Sequence, residues 1–282
     1  MAGLLCACSD TVPAATGVAT STQYSLLPDT SAPPATAPGA SAGSTATPSA
    51  RPVAPAAATP TSGTAASPHA QPPLSLAGPI WTRLPTTSHV VALTFDAGGN
   101  DAGVTSILTT LATQHVPATF FLTGLWTRQY ASEAQAISGA HAVGNHTQTH
   151  AHLPALADAA VATELTQAEQ AIRDTTGQDP RPLFRFPYGD SDTRTLQDVH
   201  AQGYGAIGWT VDTLGWEGRR AGQSAASVVQ RVLRSLGGGE IVLMHVGSAP
   251  DGTTLDADAL PQVIDALRAR GYGFVSLATF DH

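Results

Sequence analysis

Two histidines stand four residues apart in the stretch HTQTH, at His146 and His150. On a helical turn this spacing places both imidazoles on one side of the chain, where they can bind the same ion. Imidazole nitrogens suit divalent metals such as Zn²⁺. The chain has ten histidines, so an isolated pair could arise by chance. This pair, however, follows a glycine-flanked strand end, VGNHTQTH, and the pattern favours a metal site.

Three other chemically capable side chains end short apolar runs. Asp96 follows VVALTF, Arg185 lies in LFRF just before a Pro-Tyr turn, and His245 ends EIVLMH. Alone, Arg185 would be read as a surface arginine and His245 as a core histidine. Beside an acid and a metal-binding pair, His245 becomes a candidate general acid, because histidine titrates near neutral pH.

These residues need elements to position them, and the apolar pattern supplies strands and helices in alternation from Val90 onward. The predicted strands are VVALTF, ATFFLTG, HAVGNHT, LFRF, YGAIGW, EIVLMH and YGFVSL. The predicted helices are 102–114, 131–139, 158–176, 193–202, 222–236 and 258–270. Alternation of this kind is typical of a parallel sheet with helices outside it. About seven repeats favour a closed barrel over an open sheet.

In a parallel barrel the carboxyl ends of the strands converge on one face, where enzymes carry out their chemistry. The polar residues that the pattern places at this face are Asp96, His146, His150, Arg185, Asp212 and His245.

The N-terminal quarter of the chain has a different composition. Residues 11–78 are mostly Ala, Pro, Ser, Thr and Gly, a composition that cannot bury enough apolar surface to offset its ordering entropy. A disordered tether is therefore predicted, followed by one folded domain at 79–282. Residues 1–10, MAGLLCACSD, resemble a bacterial lipoprotein signal whose Cys8 becomes lipidated. They indicate an extracellular or cell-envelope protein, lipid-anchored through Cys8.

Composition also excludes some classes of function. The net charge is −8, which argues against nucleic-acid binding because that function needs a basic face. The folded part has no cysteine, so it has no disulfide and no thiolate metal ligand. No apolar run is long enough to span a membrane, so membrane contact is expected only through the N-terminal lipid.

Taken in order, TFDAG, HTQTH, RFPYG, VDTLGW and LMH closely resemble the five motifs of the polysaccharide deacetylases, carbohydrate esterase family 4. The resemblance runs from about His89 to Phe280. It implies an α/β fold, a distorted, incomplete (β/α)7-type barrel. It also implies one divalent metal ion, with zinc favoured and cobalt or manganese as alternatives. The family removes acetyl groups from N-acetylated sugars in chitin, chitooligosaccharides or peptidoglycan, or from O-acetylated xylan.

The resemblance assigns roles to the residues that do the chemistry. Asp96 matches the base that takes a proton from the metal-bound water, and Arg185 matches the arginine that orients this base. His146 and His150 match the histidine metal ligands. His245 matches the general acid that protonates the leaving amine.

It also assigns the residues that surround the substrate. The backbone N–H of Tyr188 would help to stabilise the oxyanion, at the edge of the substrate site. Leu243 would line the pocket for the acetyl methyl group, and Trp216 would form an aromatic wall of the sugar groove.

The sequence departs from the family pattern at two positions. Ala97 stands where the family usually has a second acid that binds the metal. Asp101 or Asn100 could reach back to the ion, or water could fill the position. Gly215 stands where an acid usually tunes the general-acid histidine, and Asp212 is the candidate to serve His245 instead.

The combined prediction is a metal-dependent hydrolase that removes acetyl groups from N-acetylglucosamine-type residues of an extracellular polysaccharide. Peptidoglycan is preferred over a chitin-like polymer because the tether indicates a place beside the bacterial cell wall. One alternative is an acetylxylan or other O-acetyl esterase, which would need His245 less. Another is a glycan-binding homologue that lost turnover through Ala97, although the five retained polar residues at the motifs count against it.

Overall fold

Eight parallel strands form the centre of the part of the chain that the computed structural model describes, residues 78–279. The strands are β1 Val90–Ala97, β2 Thr119–Leu122, β3 Ala142–Asn145, β4 Leu183–Phe184, β5 Gly205–Ala206, β6 Val211–Asp212, β7 Glu240–His245 and β8 Gly273–Phe274. The predicted signal at 1–10 and the predicted tether at 11–78 lie outside the described residues, apart from Gly78.

Seven α-helices accompany these strands in the described residues. They are α1 Val104–Thr113, α2 Gly124–Gln129, α3 Ala131–Ser138, α4 Asp158–Thr176, α5 Thr193–Ala201, α6 Ala225–Arg234 and α7 Leu255–Arg268. None of the described helices is both long and apolar enough to cross a membrane.

The strands form one curled sheet in the order β5-β4-β3-β2-β1-β7-β6, and β8 pairs with the first residues of β1. All of these ladders are parallel, as the alternation of strands and helices predicts. No ladder between described residues joins β5 to β6, so the barrel is incomplete. This confirms the distorted, incomplete barrel and corrects the closed barrel that the repeat count favoured.

A short segment before β1 lies between the two open sides of the sheet. Trp81 forms a parallel bridge with Ile207, next to β5, and Arg83 forms an antiparallel bridge with Glu240 of β7. The Leu84 N–H donates to the Gly239 carbonyl at 2.7 Å. The segment thus pairs with some of the backbone groups that the open sides of the barrel would otherwise leave without partners.

The main core lies between the sheet and its helices, with Phe95 and Phe120 stacked 4.9 Å apart at its centre. Helix α4 shows how sequence produces this packing. Its buried residues include Val161, Leu165, Ala168 and Ile172, which recur three or four positions apart and so lie on one face of the helix. Gly177 ends α4 in the left-handed conformation, with φ 73°, which glycine adopts without a steric penalty.

The structure differs from the sequence prediction mainly in short elements. Helix α2, which was not predicted, starts after Thr123, whose side chain accepts a hydrogen bond from the Trp126 N–H. Strand β6 has two residues, too few to produce a periodic pattern. Helix α7 starts at Leu255, three residues before the predicted 258.

Candidate active site

The carboxyl ends of the strands bring the predicted chemical residues to one face. Asp96 lies in β1 directly opposite His245 of β7, since the two residues are partners in the parallel register. His146 and Arg185 follow β3 and β4, and these two strands pair at their ends. The convergence predicted for these four residues is confirmed.

Arg185 fixes the carboxylate of Asp96 in a buried ion pair. Its Nη1 donates to Asp96 Oδ1 at 2.7 Å. Its Nε and Nη2 donate to the carbonyls of Ile207 and Gly208 at 3.2 and 3.0 Å. The guanidinium carbon also lies 4.2 Å from the centre of the Phe121 ring. An arginine held by several charge-assisted bonds has one orientation, and so has the acid that it contacts.

Asp96 is ionised in this environment. Burial alone would raise the pKa of its carboxyl group, but the charge and the hydrogen bond of Arg185, together with the charge of protonated His245, outweigh burial and lower the pKa. Asp96 is therefore in the form that accepts a proton at neutral pH.

His146 is a neutral imidazole whose geometry suits a metal ligand. Burial is the main cause that lowers the pKa of this histidine. Its Nδ1 lies 2.9 Å from the Arg185 carbonyl, an acceptor, so Nδ1 carries the hydrogen. Nε2 then has a free lone pair, and it faces Asp96 Oδ2 at 3.4 Å. Two acceptors in this arrangement are favourable only with a cation or a proton donor between them.

His150 lies beside His146, with the ring centres 4.8 Å apart and the rings edge to face. Burial is also the main cause that lowers its pKa, to about 3, so this imidazole is neutral as well. The spacing predicted a helical turn, which is not found. Thr147 and His150 adopt positive φ angles of 67° and 63°. The loop is held by a hydrogen bond from the His150 N–H to Thr147 Oγ1 at 3.0 Å.

The donor set fits a divalent cation in part. Two neutral imidazoles are present, but no three His, Cys, Asp or Glu side chains among the described residues form a metal-holding group. Ala97 is buried in the main core. Asn100 Nδ2 donates to Ser248 Oγ, and its Oδ1 accepts from the Ser248 N–H at 2.9 Å, so this side chain braces a loop. Asp101 as a metal ligand stays a prediction.

His245 faces the carboxylate of Asp256, which no motif in the sequence indicated. Its Nδ1 lies 3.7 Å from Asp256 Oδ2, an ion-pair distance longer than a hydrogen bond. Burial opposes protonation of the imidazole, but the charges and contact of Asp256, Asp96 and Asp212 outweigh burial and raise the pKa of His245. This histidine therefore holds its proton to higher pH than an ordinary histidine does, as a general acid requires.

Exposed aromatic rings border the site. Tyr188 is 60% exposed, and its ring stands edge-on to His150 at 4.5 Å and stacks on His152 at 4.0 Å. Its φ of 61° is a strained conformation that turns the backbone sharply. Trp216 is 46% exposed, and its ring centre lies 6.2 Å from that of His245. Sugars bind readily to such apolar ring faces next to polar groups.

Comparison with known proteins gives one consistent result. A family model described as Polysaccharide deacetylase matches residues 83–207. The chain is 34% identical over 196 residues to a chitooligosaccharide deacetylase of Sinorhizobium fredii, which covers 66% of this chain and 89% of that protein. It is 31% identical over 189 residues to a peptidoglycan-N-acetylglucosamine deacetylase of Bacillus cereus, covering 66% of each chain. The chain belongs to the polysaccharide deacetylase family.

One similar solved structure is that of a family member described as a pseudoenzyme. The wild-type form of a CE4 family pseudoenzyme from Bacillus anthracis is 30% identical, with a TM-score of 0.62, covering 68% of this chain and 64% of that one. A mutant of that pseudoenzyme has restored enzymatic activity. The polysaccharide deacetylase family thus includes proteins with and without turnover. The identity of this chain to the deacetylases named above supports deacetylase hydrolase activity for this chain.

Asp212 makes different contacts from those the sequence suggested. Its Oδ1 accepts from the Leu214 N–H at 2.9 Å, and its Oδ2 lies 3.4 Å from the indole N–H of Trp216. Its charge acts on His245, but no hydrogen bond or ion pair joins the two among the described residues. Asp212 therefore positions Trp216, and Asp256 is the acid in contact with the histidine.

Leu243, two residues before His245 on β7, is buried on the same strand face.

Proposed function

We propose that the protein is a metal-dependent deacetylase that acts on N-acetylglucosamine units of an extracellular polysaccharide. The observation that carries the proposal is the pairing of Asp96, ionised and fixed by Arg185, with His245, which retains its proton, on neighbouring strands. A base and an acid with pKa values displaced in opposite directions are what amide hydrolysis needs.

The chain's own residues divide the reaction between them. Asp96 takes a proton from the attacking water while the water oxygen forms a bond to the acetyl carbonyl carbon. The Tyr188 backbone N–H is the candidate donor to the carbonyl oxygen. His245 gives a proton to the sugar nitrogen as the C–N bond breaks, because an amine anion is a poor leaving group. The products are acetate and a sugar with a free amine.

A divalent metal, held by His146 and His150, would supply Lewis-acid polarisation of the carbonyl and a lower pKa for water. Zinc is the first candidate because both protein donors are imidazoles, with cobalt and manganese as alternatives. Because the site lacks a third protein ligand, we expect it to bind the metal ion more weakly than a complete site would.

Peptidoglycan is the proposed substrate, with a chitin-like oligosaccharide as the alternative within the class. The relatives named above act on these two kinds of polymer according to their names. An extracellular or cell-envelope location, with Cys8 as lipid anchor, is proposed from the composition of residues 1–78.

The test measures acetate and new free amine from peptidoglycan and from N-acetylglucosamine oligomers, before and after chelation and after addition of Zn²⁺, Co²⁺ or Mn²⁺. Turnover should fall with Asp96→Asn and with His146→Ala. Asp265→Asn and His115→Asn, which change exposed residues far from the motifs in sequence, serve as controls. No acetate from peptidoglycan or from N-acetylglucosamine oligomers, with any of these metals, would contradict the proposal.

Ala97 and the structural relative without turnover favour one second candidate, a glycan-binding homologue. In that case the protein would bind the oligosaccharide and release no acetate. An O-acetyl esterase would instead release acetate from acetylated xylan and leave the N-acetyl sugars intact.

A further inference from the structure

The carboxylate of Asp256 occupies the space that a side chain at position 215 would need. A Cβ atom on Gly215 would lie 2.3, 2.6 and 3.0 Å from Oδ1, Cγ and Oδ2 of Asp256. Cβ atoms in folded proteins essentially never lie within 3.0 Å of such a neighbouring heavy atom. Glycine at 215 is therefore what allows this carboxylate to lie where it does.

Asp256 is fixed in that space by two hydrogen bonds. It is 3% exposed, near the N-terminus of α7, where the helix dipole favours an anion. Its Oδ1 accepts from Thr213 Oγ1 at 2.7 Å, and its Oδ2 accepts from the backbone N–H of His245 at 2.8 Å. The same Oδ2 is the atom that lies 3.7 Å from His245 Nδ1.

The imidazole Nδ1 gives a reason for this placement. It is buried and has no hydrogen-bond partner among the described residues. The charges of three acids raise the pKa of His245. Of these, Asp96 accepts a hydrogen bond from Arg185, and Asp212 accepts hydrogen bonds from Leu214 and Trp216. Among the acids that the structure describes, Asp256 is the one that forms an ion pair with the imidazole.

We propose that Asp256 is the positioning residue for His245, presenting from α7 the carboxylate that position 215 cannot supply. It holds the ring with Nδ1 towards α7, so that Nε2 is left for the substrate, and its charge stabilises the protonated ring. The proposal rests on the general-acid role of His245 given above.

The central experiment exchanges the two positions. Asp256→Ala should lower kcat by about tenfold or more with little change in KM, the size of effect expected for a residue that orients a catalytic group. Gly215→Asp alone should also be impaired, because its side chain collides with Asp256. The double variant should recover most of the lost kcat, since the new carboxylate can enter the vacated space. A double variant no better than the product of the two single effects would overturn the proposal.

Asp256→Asn separates positioning by charge from mere packing. Its amide can still accept from the His245 N–H and donate to Thr213, so the fold should keep its thermal stability. The proposal requires kcat to fall, and the alkaline limb of the pH–rate profile to move to lower pH. Asp258→Asn, in the same helical turn and without a contact to His245, is the control. Unchanged kcat and an unchanged profile in Asp256→Asn would show a purely structural role.

A readout without turnover keeps this result distinct from the fate of the proposed function. NMR of ¹⁵N-histidine protein, with the His245 signal identified from His245→Gln, gives the pKa of this imidazole directly. It should be lower in Asp256→Asn than in the natural protein. An equal pKa in the two proteins would reject the positioning role, whether or not the natural protein releases acetate.

Discussion

At the residue scale, the site depends on opposite displacements of two pKa values. Burial acts against the charged form of both Asp96 and His245, yet neighbouring opposite charges outweigh it in each case. Each residue thereby keeps the protonation state that its role requires. For the histidines at 146 and 150, burial outweighs the opposing effect of the Asp96 charge, so the pKa of each is lowered and both are neutral. Identical side-chain types thus acquire different roles from their surroundings alone.

These displacements predict a bell-shaped pH dependence of kcat/KM. Activity should rise as Asp96 ionises, below the usual range for an acid, and fall as pH passes the raised pKa of His245. Asp212→Asn removes a negative charge that supports the protonated histidine, so the alkaline limb should move to lower pH. Asp265→Asn, which changes an exposed acid far from His245 in sequence, is the control. A limb that stays in place in Asp212→Asn would contradict this assignment.

At the element scale, the packing of β3 between its two neighbouring strands positions the metal donor His146. A Cβ atom on Gly144 of β3 would lie 2.7 Å from the Phe121 ring and 3.0 Å from Leu183, on the two neighbouring strands. Glycine therefore sets the spacing of three strands immediately before His146. Positions of this kind are visible only when the strands are placed side by side.

Gly144→Ala should therefore destabilise the protein and disturb the site. Overpacking of a tight interior costs about 1–3 kcal/mol, and displacement of β3 moves His146 with it. Urea unfolding measures the loss of stability, and metal titration measures the site. Gly99→Ala is the matched control for stability, because a Cβ atom there meets nothing within 4 Å. Equal stability of the two variants would contradict the close approach.

Ala97, at the end of β1, permits a second prediction about an element. Its methyl group packs in the main core, so Ala97→Asp places a carboxylate there, and an unpaired one costs several kcal/mol. A bound metal would offset this cost if the new acid became its third ligand. Thermal unfolding should show Ala97→Asp below the natural protein without metal and stabilised more strongly by added Zn²⁺. Equal stabilisation of both proteins by Zn²⁺ would show that the new acid does not reach the ion.

At the scale of the whole molecule, periodic elements were predictable and contacts between distant segments were not. The boundaries of α4 and β7 agree with those read from the sequence, because each has a sustained apolar pattern. Asp256 gave no such signal, since its carboxylate meets Thr213 from 43 positions away. The positive φ angles in the HTQTH loop were equally invisible, because distant backbone groups help to hold the loop: the Gly124 and Leu125 N–H groups donate to the carbonyls of Thr147 and Gln148.

Segment 81–84 joins the two open sides of the barrel, and its contacts predict how far the chain can be shortened from the N-terminus. Residues 1–77 have the composition of a tether, so a 78–282 fragment should keep full turnover of a soluble acetylated oligosaccharide and the stability of the whole chain. Removal of residues 1–84 takes away the bridges to Ile207 and Glu240 and the hydrogen bond from Arg83 to the Gly238 carbonyl. The buried Glu240 would also lose the cation beside it. The 85–282 fragment should therefore melt at lower temperature and lose activity, as thermal unfolding and acetate release would show. Equal melting temperatures for the two fragments would mean that this segment does not stabilise the open side of the barrel.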